Sequence, residues 1–518
     1  MKQGFRQCMA WLHTWAGLIP GWILFAVFLT GTAAYYRGET TAWMRPELRT
    51  ALPAPDAATL AVQELQRIAP DGPWFIGLPT DSDPLIRVFW RSREQRRFRD
   101  GVIDPVSGRL AEAGETRGGE FFYRFHFELH MPPIWGRWVV GACAMAMLVA
   151  ILSGVITHRR IFADFFTFRP GKAAGRSWLD AHNALAVLAL PYHLMITYTG
   201  LVTLMFMYMP WGIQVAYQGN SQAYFADTLG IPPPVRPAGQ AAPLTDIAPL
   251  VAEALRRWPE AGVRRISVQS PGDANARISL GRGDGPELPI KRQELVFSGT
   301  TGELRAATGN EAPAVQTAGA MYRLHFARFE SHLLRFLFFL SGLAGTAMVG
   351  TGLVLWAAKR VPKRAGQGAA RRGFGLRLVE TLNLGTVFGL PVAMLGFFWA
   401  DRLLPRVMEA RSDWEIRIFF GLWLLAYLHA ALRPGRRGWA EQAGFAALLG
   451  LGLPLLTALT TRYHLGVTLP AGDWLMAGMD LGFLGFGLAF ALAARKLWRE
   501  SRRAAAAAPL GRLRAEGA

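Results

Sequence analysis

Charged residues and cysteines are both scarce in this sequence of 518 residues. Only 18% of the residues are charged and 51% are hydrophobic, whereas a soluble protein usually carries about 25% charged residues. The two cysteines, Cys8 and Cys143, lie far apart in the sequence, in or beside apolar runs. They are too few for an iron–sulfur cluster or a zinc-thiolate site, and their positions argue against a disulfide.

Several motifs are missing as well. The chain contains no CxxCH, which excludes covalently attached c-type haem. It also has no P-loop, no GxGxxG after a predicted strand, no HExxH and no nucleophile elbow. Nothing in the sequence therefore indicates nucleotide binding, zinc-dependent hydrolysis or a serine hydrolase site.

Apolar runs of about 20 residues, long enough to cross a hydrocarbon core of ~30 Å, indicate a polytopic membrane protein. The first run is too long and too aromatic for a typical signal peptide, so we interpret it as a retained helix. The eight predicted spans are 11–36, 134–157, 178–209, 334–358, 378–400, 415–432, 441–460 and 474–494.

Lys and Arg are concentrated in alternate loops, at 158–177, at 359–377 and directly after the sixth and eighth spans. Basic residues favour the cytoplasmic side of a membrane, so both termini are predicted to be cytoplasmic. The long segments 37–133 and 210–333 then lie outside the cytoplasm. Topology also explains the pI of about 10.7, so we expect the lipid bilayer, and no nucleic acid, as a partner.

The first two thirds of the chain read as a tandem repeat of a span, a polar module and a second span. The repeat is seen in dipeptides at constant offsets, such as Leu12-His13 with Ala181-His182 and Thr30-Gly31 with Thr199-Gly200. Each polar module combines a predicted helix, at 57–69 or 244–258, with short strands and a Gly-containing turn. The predicted strands are 85–90, 98–103, 263–270, 276–280 and 293–297.

The predicted fold is therefore mostly α, with about eight transmembrane helices and two small periplasmic α+β modules in the tandem repeat. Spans five to eight form a separate helical block, which contains Pro391 and Pro454 and, on this interpretation, no acidic residue at mid-membrane depth. The predicted segments are the first span (1–36), the first module (37–133), spans two and three (134–209), the second module (210–333), span four (334–358), a basic cytoplasmic loop (359–377), the block of spans five to eight (378–498) and a cytoplasmic tail (499–518).

Histidines are concentrated in the first four spans, and an ionisable side chain at membrane depth points to function. Metal or haem ligation is the commonest reason to keep a neutral imidazole there. On a straight helix His182 and His193 would share one face at two depths, about 16 Å apart. That spacing suits two stacked b-type haems in a helix bundle. The candidate ligands are His13, His126, His130, His158, His182, His193, His325 and His332.

The pairing of these ligands leaves alternatives. His13 is the repeat partner of His182 and matches its depth, so we favour that pair for an inner haem, with His158 as the competitor. For an outer haem His193 is paired with His332, and His130, His126 and His325 are further candidates. The loops on the basic side are too short for a flavin or nicotinamide domain. The electron donor is therefore expected to be separate, either a quinol or a cytoplasmic flavin reductase.

Short motifs open, precede or lie within the first four spans: Leu12-His13-x-Trp15-x-Gly17, Leu129-His130, Asp180-x-His182-Asn183, Leu190-Pro191-Tyr192-His193 and Leu324-His325-Phe326. By these motifs, residues 1–360 resemble the PepSY-associated transmembrane family of bacterial inner-membrane proteins, and the two Gly-turn modules look like PepSY domains. The resemblance implies an iron-regulated inner-membrane protein, similar in some members to a ferric-siderophore reductase with haem between the first four helices.

A transmembrane reductase of a periplasmic ferric siderophore is thus the leading hypothesis. Reduction would release the iron, because Fe(II) is softer than Fe(III) and is held more weakly by hard oxygen chelators. Two alternatives remain. In one, the PepSY modules bind a peptide or partner protein and the helices only anchor them. In the other, the chain takes part in siderophore or iron transport.

Overall fold

The computed structural model describes residues 4–91, 98–111, 114–158, 174–229, 235–288, 293–309, 312–329, 331–360 and 373–515. The chain divides into two compact units. The first, here the helical unit, comprises Met1–Met44, Glu115–Thr197 and Phe339–Ala518. The second, here the sheet unit, comprises Arg45–Gly114 and Tyr198–Phe338.

The described residues form twenty α-helices and seven strands, and the strands occur in two groups along the chain. The helices are α1 Phe5–Leu18, α2 Gly21–Ala34, α3 Arg37–Met44, α4 Ala54–Ile68, α5 Gly118–Glu128, α6 Pro133–Thr157, α7 Ala174–Leu188, α8 Leu190–Thr203, α9 Met205–Tyr208, α10 Trp211–Tyr217, α11 Ser221–Leu229, α12 Ala248–Arg257, α13 Pro313–Phe326, α14 His332–Ala358, α15 Phe374–Val387, α16 Gly389–Leu403, α17 Arg411–Leu432, α18 Arg436–Thr460, α19 Leu465–Thr468 and α20 Trp474–Ala515. The strands are β1 Trp74–Gly77, β2 Ile86–Trp90, β3 Arg99–Ile103, β4 Val263–Gln269, β5 Arg277–Arg282, β6 Gln293–Ser298 and β7 Leu304–Gly309.

Within the described residues, six helical segments are long and apolar enough to cross a membrane, and two bent helix pairs raise the number to eight. The upper number agrees with the eight predicted spans. Most of the two basic loops, at 159–173 and 361–372, lies outside the described residues, so the predicted orientation is not tested by the fold. α20 continues from the last span through most of the predicted tail.

The first and third spans are broken helices and not the continuous ones that the sequence predicted. α1 and α2 meet at a bend of 62°, and α7 and α8 meet at a bend of 67°. Pro20 and Pro191 stand at these breaks, where proline has no N–H to donate and its ring clashes with the preceding turn. His182 and His193 therefore lie on opposite sides of a bend. The straight-helix geometry that placed them on one face at a spacing of about 16 Å is wrong.

The core of the helical unit is rich in aromatic side chains. Phe122, Phe397 and Phe419 are fully buried, and the Phe122 and Phe397 rings lie 5.1 Å apart at 65°. Edge-to-face ring pairs of this kind stabilise a core beyond the area that they bury. α5 ends at Leu129, whose positive φ of 53° stops the helix before α6 begins.

The sheet unit contains a seven-stranded antiparallel sheet in the order β3-β2-β1-β4-β5-β6-β7. Alternate residues of β1 and β4, such as Trp74 and Ile266, are fully buried. They pack with α4 and α12, whose Leu65 and Val251 are also fully buried. One face of the sheet is thus covered by two helices, as an amphipathic strand pattern requires.

The strands of the two predicted modules belong to one sheet. The sequence predicted β2 to β6 within one or two residues but missed β1, which has only four residues, and β7, at one edge of the sheet. β1 of the first segment pairs with β4 of the second, with Phe75 opposite Ser267. Because β1 supplies the strand that joins the two halves, its omission made the modules look separate. The predicted domain boundaries themselves stay predictions.

Glu64 fastens α4 to the segment that follows β3. Its carboxylate accepts hydrogen bonds from both Nε and Nη2 of Arg67, from Arg109 and from the backbone N–H of Leu110. These donors, chiefly Arg67, lower the pKa of Glu64 from 4.5 to about 2. In its ionised form, the Glu64 carboxylate therefore stabilises the sheet unit.

Candidate functional site

His13 lies on α1 and faces α6. Its Nδ1 donates a hydrogen bond to the backbone carbonyl of Ala150 at 2.8 Å. One turn further along α6, Gly154 leaves room for the ring, because a Cβ there would stand 3.1 Å from the imidazole. The backbone of α6 therefore fixes both the position and the tautomer of His13, with the proton on Nδ1.

His182, in the second predicted repeat, makes the same contact. Its Nδ1 donates to the carbonyl of Met348 on α14 at 2.9 Å. Gly352, four residues later, again leaves room for the ring, because a Cβ at this position would stand 3.1 Å from the imidazole. The two histidines that the sequence matched as repeat partners thus have matching surroundings.

The rings of His13 and His182 face each other across the helical unit. Their centres are 6.3 Å apart and their planes make an angle of 65°. Bonds from a metal to imidazole nitrogen are about 2 Å long, and a ring centre lies about 1 Å behind its nitrogen, so two imidazoles that share one metal have centres roughly 6 Å apart. With Nδ1 occupied, Nε2 is the nitrogen that keeps a lone pair. The spacing of the two rings is close to the one that two axial ligands of a haem iron have.

Among the described residues, no group of three or more His, Cys, Asp or Glu could hold a metal ion. A structural zinc site of the usual kind needs four protein ligands, and a catalytic one needs three. Haem iron needs only the two axial positions from the protein. His13 and His182 supply two donors, the number that a haem iron takes from the protein.

His193, on α8, is almost fully buried, with 1% of its surface exposed. Its ring bonds to the backbone of Ser341, and it packs edge-on against Phe28 at 6.3 Å between centres. Its Nε2 is buried without a hydrogen-bond partner among the described residues. A buried nitrogen without a partner is costly, so this atom is suited to a ligand.

His126 and His325 also contact glycines, each within its own unit. In the helical unit, His126 Nδ1 donates to the carbonyl of Val27 at 2.7 Å, next to Gly31. In the sheet unit, His325 Nδ1 lies 3.1 Å from the hydroxyl of Thr199, next to Gly200. The two contacts are local to their units, and the assignment of either residue to an outer haem stays a prediction.

The other predicted ligands have less enclosed surroundings. His130 is exposed, with a positive φ of 55° and its ring 5.3 Å from that of Phe420. His332 is exposed at the first residue of α14. His158 Nε2 is hydrogen-bonded to the side-chain amide of Asn183 at 3.1 Å. This contact does not distinguish a residue that caps the end of α6 from a haem ligand. The pairing of His193 with His332 is not tested by these positions.

A buried charged cluster in the block of spans five to eight was not predicted from the sequence. Asp480 lies within the last candidate span, Trp474–Arg503, and is fully buried. The expectation that this block has no acidic residue at mid-membrane depth stays a prediction, because the fold does not define the depth of Asp480 in a membrane. Asp401, Arg411 and Glu415 are buried as well. An acidic residue within an apolar span is the signal that could have found Asp480.

The fold and these contacts define a polytopic helical membrane protein with a sheet-containing unit inserted between its spans. The sequence profile of the PepSY-associated TM region matches residues 10–359. The chain therefore belongs to the PepSY-associated transmembrane family. It is also similar to the uncharacterized protein PA4219 of Pseudomonas aeruginosa, with 28% identity over 387 residues that cover 71% of this chain and 92% of the relative.

Proposed function

We propose that this protein is an inner-membrane b-type haem protein that passes electrons across the membrane and reduces a ferric siderophore on the periplasmic side. The proposal rests on one observation above all, the facing of His13 and His182 at 6.3 Å between ring centres. The family places the chain in a membrane but does not specify a reaction. The ligand geometry is what favours electron transfer over a purely structural anchor.

Two features of the His13–His182 pair support haem over a chance contact. Both imidazoles donate Nδ1–H to a backbone carbonyl, which orients the ring and increases the basicity of the other nitrogen. Each ring also packs against a glycine on the facing helix, Gly154 or Gly352, where a Cβ would stand about 3.1 Å from the ring. A histidine that only filled space would not require matched glycines in two helices.

A bound haem would supply one-electron redox chemistry. His13 and His182 would hold the inner haem, and His193 is the buried candidate for a second one. Tyr192 lies next to His193, and its hydroxyl is hydrogen-bonded to that of Tyr35 at 2.8 Å. This polar pair places hydroxyl groups beside the imidazole inside an otherwise apolar region.

The substrate and donor follow from chemistry. A ferric chelate gives up its iron after reduction because hard oxygen ligands hold Fe(II) weakly. With both termini in the cytoplasm, the sheet unit would lie on the periplasmic side, where such a chelate arrives. The electron donor would be a quinol in the bilayer or a flavin reductase at the basic cytoplasmic loops.

The first test is the visible spectrum of the full-length protein, purified in detergent from haem-replete cells, with haem quantified per chain. We expect a reduced b-type spectrum and about two haems per chain. His13→Ala and His182→Ala should each lose one haem. His429→Ala is the matched control, because His429 lies in the span block and bonds Glu441 and Gln442.

The outcomes separate the hypotheses. One haem per chain would be consistent with electron transfer but would contradict the proposed second haem site. A colourless protein would overturn the proposal and favour a PepSY binding module anchored in the membrane. If haem is present, the reduced protein should be reoxidised by a ferric siderophore under anaerobic conditions, with Fe(II) trapped by a chromogenic chelator. If the reduced spectrum persists, the protein binds haem but does not reduce the ferric siderophore, and its electron acceptor is a different compound.

A further inference from the structure

The buried charged cluster of the helical unit begins with an arginine between two acids. The side chains of Asp401, Arg411 and Glu415 are 2%, 3% and 0% exposed. Arg411 bonds Oε1 of Glu415 at 2.6 Å and Oδ1 of Asp401 at 3.3 Å. These three groups form a compact ion network at the junction of α16 and α17.

Arg402 extends this network toward α20. Its Nη1 lies 3.7 Å from Oδ2 of Asp401, and its guanidinium stacks 3.9 Å above the ring of Trp43. The Trp43 indole N–H donates to Oδ1 of Asp480 at 3.0 Å. The cluster therefore continues through Trp43 to the buried acid of the last span.

Asp480 has an unusual set of partners. Besides Trp43, its Oδ1 faces the hydroxyl of Thr457 on α18 at 3.4 Å. Its Oδ2 is buried and has no hydrogen-bond partner among the described residues. The groups nearest to this carboxyl are thus an indole and a hydroxyl, and neither carries a charge.

The elements packed around Asp480 carry further charged or titratable side chains. His464, beside α19, accepts the backbone N–H of Gly466 on Nδ1. α3 carries Arg37 and Glu39 in addition to Trp43, and Arg37 lies 3.7 Å from Glu120. Arg402, on α16, is already engaged with Asp401.

The charges of the cluster do not cancel. Asp401, Glu415 and Asp480 are three carboxyl groups, against the two guanidinium groups of Arg402 and Arg411. If all were ionised, the two guanidinium groups would leave one of these three carboxylates without an arginine partner. Burial of an unpaired charge costs far more than burial of a neutral acid, so such a group takes up a proton.

The hydrogen bonds indicate which acid holds the proton. Glu415 accepts from Arg411, from the Thr116 hydroxyl and from the backbone N–H of Arg117, and these three donors favour its ionised form. Asp401 lies between two arginines. We propose that Asp480 binds a proton on Oδ2 and that this proton exchanges with the aqueous phase, which makes the block of spans five to eight a proton-binding unit.

The cluster also reaches the protein surface. Next to Glu415, the side chain of Arg117 pairs with Asp413 at 3.0 Å, and both side chains are nearly half exposed. Polar groups thus lead from the surface through Glu415, Arg411, Asp401 and Arg402 toward Asp480. A proton, and not a metal ion, is the ligand that fits, because Asp480 offers a single oxygen without a partner.

The test is infrared spectroscopy of the full-length protein in lipid nanodiscs at neutral pH. We expect a C=O stretching band of a protonated carboxylic acid, which shifts when aspartate is labelled with ¹³C in the side-chain carboxyl group. The band should also shift after incubation in D₂O. Labelling assigns the band to aspartate without a mutation, and the variant described below assigns it to Asp480.

Other results would overturn the inference. The absence of a carboxylic acid band would mean that Asp480 is ionised. A band insensitive to aspartate labelling would place the proton on a glutamic acid such as Glu415. A band that never shifts in D₂O would refute exchange. Asp480→Asn should remove the band, whereas the control Asp81→Asn, at an exposed position of the sheet unit, should keep it, and neither result requires bound haem.

Discussion

His13 and His182 each donate Nδ1–H to the carbonyl that lies four residues before a glycine on the facing helix. His126 makes the same arrangement with Val27 and Gly31. A glycine brings a helix backbone close enough for its carbonyl and an imidazole to meet. The repeated arrangement shows that the backbone, more than other side chains, positions these histidines.

Larger side chains at Gly352 should weaken haem retention. A Cβ at this position would stand 3.1 Å from Cε1 of His182, so Ala requires a small shift of the ring and Leu a larger one. We expect about tenfold weaker haem retention for Gly352→Ala, as for other changes that misorient a metal ligand, and a greater loss for Gly352→Leu. Haem per chain after repeated washing measures this.

Gly444 is the matched control, because a Cβ on this helical glycine of α18 meets nothing within 4 Å. Gly444→Ala and Gly444→Leu should retain haem as the wild type does. Equal losses at both positions would show that the effect is a general loss of folding and not a displacement of His182.

His193 should be required for the second haem. Its Nε2 is buried and lacks a partner among the described residues, so His193→Ala removes the enclosed donor on α8. We expect the loss of one haem per chain, measured by pyridine haemochrome quantification, with the His13–His182 haem retained. The same loss in His332→Ala would identify His332 as the partner, and the same loss in His126→Ala would identify His126. Full retention in His193→Ala would contradict its role.

Glu64 should make the sheet unit less stable in acid. Its pKa is lowered in the folded protein, so its stabilisation is complete above the unfolded value of 4.5 and is lost as the pH falls toward 2. Glu64→Gln should cost about 1–2 kcal/mol at pH 7, as expected for hydrogen bonds to a charged group. The difference from wild type should shrink steadily between pH 4.5 and pH 2.

Thermal unfolding followed across this pH range is the measurement. The exposed Glu260→Gln serves as the control, and its unfolding temperature should stay close to that of the wild type at every pH. A Glu64→Gln difference that is independent of pH would mean that the carboxylate is not the stabilising group.

Loss of Arg411 should be far more harmful than loss of a surface arginine. Arg411→Met leaves Asp401 and Glu415 buried without their shared cation, and removal of one partner from a buried ion pair typically costs about 3–5 kcal/mol. Arg437, whose side chain is 61% exposed, pairs with Glu441 at 3.3 Å. Arg437→Met should cost at most about 1 kcal/mol. Unfolding in detergent compares the two, and equal costs would contradict the buried network.

The orientation of the N-terminus can be tested with the native cysteines. Cys8 is exposed near the start of α1, whereas Cys143 is buried. A membrane-impermeant maleimide should label Cys8 only after the membrane is disrupted. Asp81→Cys, at an exposed position of the sheet unit, should be labelled in intact spheroplasts. Labelling of Cys8 in intact spheroplasts would reverse the predicted topology.

Much of the architecture could be predicted from local pattern. Apolar runs of membrane-spanning length and the period of short strands depend on neighbouring residues only, so the eight spans and β2 to β6 were found within a few residues. β1 has four residues, Trp74–Gly77, and its place depends on β4, nearly two hundred residues away. Local pattern carries no information on such pairing, which is why two modules were expected and one sheet was found.

The sequence by itself determined that this chain is a membrane protein of the PepSY-associated family, with histidines at matching positions of the two predicted repeats. Only the tertiary structure decided which backbone groups face them, because a hydrogen bond between helices depends on how closely the helices approach. It also decided that Pro191 bends the third span between His182 and His193, and that Asp480 meets Trp43 instead of an arginine. Each of these depends on packing between segments distant in sequence, which no single stretch of residues specifies.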